Sequence, residues 1–474
     1  MLRDLLKDGG LYTLANLLTK GIGLLLIPFY TVYFSTAEYG VRDILMVFGL
    51  FAGNFFSLQL NQGLARYVAE PTLDSNVKKQ YASTATFAVV ILFTIFSVIC
   101  FVFSQQITDL LSSSYQIPIH TFRIAAGTIF FNNIFYFLNV YLRFLRQSKT
   151  VSILSFSHAI FGVTLVFFFA FYLDLGIDSV FLPFVIIVPL LICVQLYFLK
   201  EHLMFYFNST YLKTLLKYSI PMMGSALSLV TMNFTDRVFI NEILGADSLG
   251  IYSLGSQFAS IIGIVIVGFG AAMGPIILEK HNRANTRKEL ERFFVLFVGF
   301  GTFGAIALSL FSSEITTIFS GVNYQSAYTV MPMLFFTILF TGLHMFSPGM
   351  IIHMKTKTIA ILTFLFALLN IALNYFFVPK WGVIGAASST LIATGLYQVI
   401  YFAFAQKNYP FRLQLNKVII VVASIIAILV TTYYLPLLPI TSAIIVKSSL
   451  LVLFFILVYN VLIKQYFSFK SILK

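Results

Sequence analysis

Long apolar runs recur along this chain so often that they leave room for only one class of fold. Residues 159–173, AIFGVTLVFFFAFYL, carry no charge. Stretches of about 20 residues with few charges, long enough to cross the hydrocarbon of a bilayer, occur fourteen times. They lie near 9–33, 41–66, 80–104, 119–144, 150–173, 179–200, 213–241, 248–275, 292–312, 327–351, 357–378, 382–405, 416–435 and 442–463. Lipid offers the backbone no hydrogen-bonding partner, so a spanning segment must be a helix or a strand of a closed barrel. Runs such as 159–173 lack the alternation of a barrel strand. The expected fold is therefore all-α and integral to the membrane, with 14 transmembrane helices. Composition agrees, since 59% hydrophobic residues, 10% charged residues and a mean hydropathy of +0.93 lie outside the range of soluble domains. The first run is a full span without a small-residue cleavage site and is expected to persist as a helix.

Charge sets the orientation. The net charge of +13 is dispersed in short clusters between apolar segments, which points to anionic headgroups rather than to nucleic acid. With the N-terminus in the cytoplasm, 24 of the 30 Lys and Arg residues fall in cytoplasmic connections or tails, so both termini are expected inside. The other six are Lys20, near the middle of the first span, and Arg42, Arg123, Arg237, Lys380 and Lys447 at or near outer ends. Cys100 and Cys193 both sit in apolar stretches and suggest neither a disulfide framework nor a metal site. No zinc spacing, Walker loop, nucleophile elbow or dinucleotide fingerprint appears, so neither hydrolysis nor ATP coupling is expected, and no cofactor.

The chain also repeats itself. RQSKTVSILSF (146–156) matches MKTKTIAILTF (354–364) at a shift of 208. At a shift of 210, Leu5-Leu6-Lys7 falls on Leu215-Leu216-Lys217 and Gly40-Val41 on Gly250-Ile251; at 206, Leu175-Gly176-Ile177 falls on Trp381-Gly382-Val383. Three collinear matches within four residues of one shift describe a duplicated six-helix unit. Six is even, so both copies start on the same side, and the repeats are parallel about an axis along the membrane normal. The expected division is an N-lobe over 1–205, a C-lobe over 206–410 and a two-helix appendage over 411–474.

DRVFINEILGADSLGIYSLGSQFA (236–259) resembles the seventh-to-eighth helix signature of polysaccharide biosynthesis flippases, and FSTAEYGVRDILMVF (34–48) resembles the matching signature after the first helix. With the 6+6+2 plan, the likeness extends over the whole chain to the multidrug/oligosaccharidyl-lipid/polysaccharide exporter superfamily, nearest to Wzx-type O-antigen or capsule flippases. It implies that an undecaprenyl-pyrophosphate-linked oligosaccharide crosses a bacterial inner membrane by alternating access. The implied partners are the lipid-linked glycan, membrane lipid and glycan polymerase or assembly proteins.

A cavity for such a substrate should carry amides and hydroxyls for sugar and cations for phosphate. Thr13, Asn16 and Lys20 share one face of the first span, and Gln59, Gln62 and Arg66 one face of the second, with Asn54 and Asn61 seven apart. Asn132, Tyr136, Asn139 and Arg143 form a stripe on the fourth. The candidate substrate-binding set is Lys20, Asn16, Thr13, Arg66, Asn61, Gln62, Asn139 and Arg143. Against each stands a plainer reading, because amides in membrane helices contribute about 0.6 kcal/mol apiece by stitching helices together. Terminal arginines such as Arg66 and Arg143 also snorkel to headgroups. Lys20 is too deep for snorkelling, where a cation costs about 3 kcal/mol unless paired or hydrated.

Arg42-Asp43 and Asp236-Arg237 place opposite charges side by side near the outer surface. Helix neighbours do not face each other, so these residues are expected to seek partners across helices as an outer-gate lock. The lone histidines His158 and His344 are expected to satisfy backbone carbonyls. Two competing functions remain. In a cation-coupled multidrug antiporter of the same superfamily an acidic residue in the first helix carries the coupling, whereas residues 9–33 contain Lys20 and no Asp or Glu. A glycan polymerase or ligase needs a large outer loop, and the outer connections are short.

Overall fold

Residues 21–70, 72–112, 115–280, 286–352, 355–411, 420–428 and 440–464 are described by a computed structural model, and every regular element among them is helical. In chain order these are α1 (Ile27–Tyr33), α2 (Thr36–Phe56), α3 (Leu60–Ala69), α4 (Ser75–Val102), α5 (Ser104–Leu111), α6 (Ile119–Phe144), α7 (Ser148–Phe171) and α8 (Asp178–Leu199). There follow α9 (Ser209–Leu244), α10 (Ala246–Lys280), α11 (Thr286–Leu310), α12 (Ser312–Phe319), α13 (Met331–Gly342), α14 (Pro348–Ile352), α15 (Thr356–Asn408) and α16 (Ile440–Val458). Among the described residues, eight helices are long and apolar enough to cross a membrane, or ten if each of two bent pairs counts as one span. The protein is a multi-pass membrane protein.

Hydropathy marks where a span is apolar, but caps mark where its helix begins. Ahead of α2, Ser35 Oγ accepts from the Glu38 amide at 3.2 Å while the Ser35 amide donates to Glu38 Oε2 at 2.9 Å, a reciprocal box that satisfies two orphan donors. Asp74 Oδ2 accepts from the Asn76 amide at 3.2 Å ahead of α4. Asn208 Oδ1 accepts from the Thr210 amide at 2.8 Å and the Tyr211 amide at 3.3 Å ahead of α9. Each cap adds a polar first turn outside the apolar window. The helices therefore start at 36, 75 and 209 rather than at the expected 41, 80 and 213.

Two expected straight spans are broken. Residues 41–66 divide into α2 and α3, which bend by 50° at a joint where Leu58 (φ 46°) and Gln59 (φ 52°) are both left-handed. Neither residue is glycine, so the joint carries about 1–2 kcal/mol of backbone strain per residue. Residues 327–351 likewise divide, the 3₁₀ turn Val322–Thr329 meeting Met331–Phe346 at 56°. Conversely, the spans expected at 357–378 and 382–405 run together as α15, of 53 residues. A straight helix of that length would reach about 80 Å, far beyond a hydrocarbon core of about 30 Å. The chain turns at Gly382, whose φ of 58° and ψ of −139° interrupt the helix. Its repeat partner Gly176 also has a positive φ, of 52°, so the duplicated Leu/Trp-Gly-Ile/Val motif keeps in both copies a positive φ that glycine adopts without penalty.

A further repeat emerges from the helices themselves. α5 (SQQITDLL) and α12 (SSEITTIF) lie 208 residues apart in the sequence, have equal lengths of 8 residues, and bury equivalent residues, Ser104 and Thr108 in one and Ser312 and Thr316 in the other.

Packing groups the helices into two compact units, one of Met1–Gly250 with Thr363–Gly382 and one of Ile251–Leu362 with Val383–Lys474. In the first unit α6 packs on α8 and α4, α7 on α8, and α9 on α2 and α3. In the second, α11 packs on α13 and α16. There Phe346 meets Phe294 and Phe297 with ring centroids 5.4 and 5.3 Å apart, and Lys447 Nζ of α16 donates to Glu314 Oε1 and Oε2 of α12 at 2.6 and 2.8 Å.

Candidate functional site

Six helices of the first unit and the α2–α3 joint line a cavity of about 800 Å³, within the size range of small-ligand sites. Asn54 from α2, Ser57 and Gln59 from the joint, Asn61 and Gln62 from α3, and Asn132, Asn133, Asn139 and Arg143 from α6 line it, with Ser155 and His158 from α7. Val89 of α4 and Phe181 of α8 complete the wall. The left-handed joint is what turns Ser57, Gln59 and Asn61 toward one space, since a continuous helix would send residues two apart to different faces. Close approach of α2 to α6 depends on glycine. A Cβ on Gly53 would sit 2.5 Å from Asn133 Oδ1, and one on Gly49 would sit 2.9 Å from Ile129 Cγ1.

The polar wall is largely pre-ordered. Gln59 Nε2 donates to Asn54 Oδ1 at 2.9 Å across the joint, and the Gln62 amide donates to Asn61 Oδ1 at 3.0 Å. Asn133 Nδ2 donates to the Ile129 carbonyl at 2.8 Å, and Asn139 Nδ2 donates to Ser155 Oγ at 3.3 Å. His158 lies between the rings of Phe135 and Phe184, each 5.1 Å away, and its Nε2 meets Asn132 Oδ1 at 2.8 Å. This corrects the expectation of a backbone carbonyl partner, because α7 faces the side-chain stripe of α6 rather than a helix end. His344 stacks on Tyr401 at 4.3 Å.

The structure brings together four of the eight expected substrate-binding residues, Asn61, Gln62, Asn139 and Arg143, around this cavity. Arg66 is not among its lining residues; its guanidinium lies 4.7 Å from the ring centre of Tyr218. Thr13, Asn16 and Lys20 lie outside the described residues. Asn133, Ser155 and Ser57 escaped the sequence reading, although Ser57 stands three after Asn54 and four before Asn61, because hydroxyls and amides in membrane helices are common enough as packing residues. The Asn132-Asn133 doublet was the one visible signal, since adjacent amides inside an apolar helix cannot both face lipid cheaply.

A second charged cluster occupies the first unit away from the cavity. Arg237 Nε donates to Asp43 Oδ2 at 3.1 Å, with side chains 10% and 19% exposed. Asp236, fully buried, accepts from Asn374 Nδ2 at 2.7 Å. Arg42 instead places its guanidinium 4.9 and 5.3 Å from the ring centres of Tyr30 and Tyr39. Nearby, Thr36 hydrogen-bonds Asp247, and Asn241 Nδ2 donates to the Leu111 carbonyl at 2.9 Å.

Comparison with known proteins places this architecture. The model of the polysaccharide biosynthesis protein family matches residues 5–281, and the MatE model matches residues 221–376. A Shigella flexneri protein named "Putative O-antigen transporter" is 28% identical over 164 residues, 33% of this chain and 38% of that protein. The match thus spans well under half the length of that relative. Among solved structures, the lipid II flippase MurJ in an inward closed conformation is similar with a TM-score of 0.74 at 18% identity, covering 98% of this chain and 100% of that one. An inward-facing multidrug resistance MATE family transporter of the MOP superfamily has a TM-score of 0.66 at 14% identity, covering 82% and 94%. These likenesses show the fold, which is that of the MOP transporters.

Proposed function

The chain belongs to the polysaccharide biosynthesis protein family, and from that premise we propose that it is a flippase for an anionic, lipid-linked glycan. The substrate is an undecaprenyl-pyrophosphate-linked oligosaccharide, an O-antigen, capsule or exopolysaccharide repeat unit. It passes from the inner to the outer leaflet of a bacterial cytoplasmic membrane, with both termini of the carrier inside. The observation that carries this reading is the cavity of about 800 Å³ whose polar wall is made of carboxamides, hydroxyls and Arg143, with no Asp, Glu or Lys among the described lining residues. Carboxamides suit a sugar, the guanidinium suits a phosphate, and the lining offers no anionic residue to hold a cation.

Alternating access is the motion that a parallel duplication permits, the six-helix lobes 1–205 and 206–410 exchanging which side of the membrane is open, with 411–474 beside the lipid tail. Asp43 and Arg237, with Arg42 and Asp236 beside them, act in this scheme as the outer lock. Lys20 is the phosphate ligand of the first span, joined on its face by Asn16 and Thr13, with Arg66 and Arg143 holding phosphate at the cytoplasmic end.

The match of the MatE model to residues 221–376 favours a second reading, a cation-coupled multidrug antiporter. One experiment separates the two. In a strain lacking its own flippase, wild type restores surface glycan, Lys20→Arg keeps part of the activity, and Lys20→Ala and Lys20→Gln both lose most of it at equal protein levels. Drug resistance without glycan export from the wild-type chain would establish the antiporter instead.

A further inference from the structure

Phosphate and sugar make opposite demands on a binding wall. A pyrophosphate diester at neutral pH presents acceptors only, so donors alone satisfy it, whereas sugar hydroxyls and acetamido groups both donate and accept. Seven of the residues lining the cavity are carboxamides, against one guanidinium. Each carboxamide brings an acceptor oxygen that a phosphate would leave unsatisfied, at about 1–3 kcal/mol for a buried group.

Three of these seven oxygens have partners within the wall. Those of Asn54, Asn61 and Asn132 are taken by Gln59, Gln62 and His158. Asn139 differs. It lines the cavity, is 4% exposed, and gives its amide nitrogen to Ser155, while its Oδ1 is buried without a hydrogen-bond partner. A buried acceptor left open at a cavity wall calls for a donor from whatever fills the cavity. Tyr136, three residues before it on α6, also lines the cavity and is 54% exposed, so its ring suits the C–H face of a pyranose. Arg143, the one cation among the described lining residues, is exposed at the C-terminal end of α6.

The geometry points to a division of labour within the proposed transport site, on which this inference rests. The part of the cavity around Asn139 is a subsite for the uncharged sugar, with Asn139 Oδ1 accepting from a hydroxyl or an acetamido N–H, and phosphate is excluded from that part and held by the cations assigned to it above, Arg143 among the described residues.

The test uses the full chain in nanodiscs with two probes, N-acetylglucosamine and inorganic pyrophosphate, each titrated by ligand-observed NMR. Wild type binds the sugar, and pyrophosphate does not displace it. Asn139→Leu weakens sugar binding about tenfold or more, equivalent to about 1.4 kcal/mol, and changes pyrophosphate binding less than about twofold. Asn133→Ala, at a half-buried position, guards against misfolding of the first variant and weakens sugar binding in the same selective way. The inference is overturned if wild type gives no sugar signal, if pyrophosphate competes with the sugar, or if either variant weakens both probes equally. Translocation of a fluorescent undecaprenyl-pyrophosphate-linked N-acetylglucosamine in vesicles is measured separately. Its absence in a wild-type protein that binds the sugar refutes the flippase reading and leaves the subsite standing.

Discussion

Gly40 of α2 and Gly250 of α10 are repeat partners in the sequence and neighbours in space. A Cβ on Gly40 would stand 3.0 Å from the Gly250 amide and overlap the Ala246 carbonyl, and one on Gly250 would overlap the Thr36 carbonyl. The 210-residue shift that carries Gly40 to Gly250 also carries Thr36 to Ala246, so the two overlaps are one contact made twice. Contacts of this reciprocal kind form where a two-fold relation passes through an interface.

Methyl groups should therefore not fit there. Gly40→Ala or Gly250→Ala is expected to destabilise by about 1–3 kcal/mol, the usual range for overpacking, read as a lower thermal midpoint in detergent. Gly224→Ala on α9, with nothing within 4 Å of its added Cβ, should be neutral or stabilising by up to about 1 kcal/mol. Equal effects at all three positions would remove the crossing from the account of stability.

The Asp43–Arg237 pair, 3.1 Å apart and largely buried, should respond to charge removal asymmetrically. Taking away one member removes a close counter-charge from the other, and breaking a buried pair in this way commonly costs about 3–5 kcal/mol. Arg237→Ala and Asp43→Ala are each expected to lose surface-glycan export and thermal stability, and the exchange Asp43→Arg with Arg237→Asp to restore part of both. A double-mutant cycle with no coupling energy would show that the two side chains act independently.

Glu314 and Lys447 make the contrasting case. Their repeat position in the first copy, Gln106, is exposed, so the duplicated scaffold does not require a charge there, and Glu314 serves to receive α16. Glu314→Gln alone should destabilise the second unit, because Lys447, 7% exposed, loses its counter-charge. Glu314→Leu with Lys447→Met should recover most of the loss, as apolar replacements of buried pairs commonly do. Thermal midpoints of the two variants against wild type decide it; a double variant no better than the single would assign the ion pair net stability.

Orientation has a direct chemical readout. In a background with Cys100 and Cys193 replaced, single cysteines at Gln116 and Asn323 should react in intact cells with an impermeant thiol reagent, and cysteines at Asn76 and Glu201 should react only after lysis. Labelling of all four in intact cells would overturn the charge-based topology.

Membrane residence, an all-helical backbone and the duplication were all legible in the sequence because each rests on local physics. Lipid cannot satisfy a bare backbone, and a repeated unit repeats its residues at a fixed shift, down to the positive-φ glycines at 176 and 382. The α6 stripe of Asn132, Tyr136, Asn139 and Arg143 was legible for the same reason, since helical spacing alone puts its members on one face. What the tertiary structure decided was everything that needs two distant segments at once. Hydropathy cannot see that Leu58 and Gln59 leave the helical region, because both residue types suit a helix and only packing holds them at positive φ. Nor can spacing pair Asp43 with Arg237, 194 residues away. That contact needs the close crossing at Gly40 and Gly250, which brings α2 and the end of α9 together.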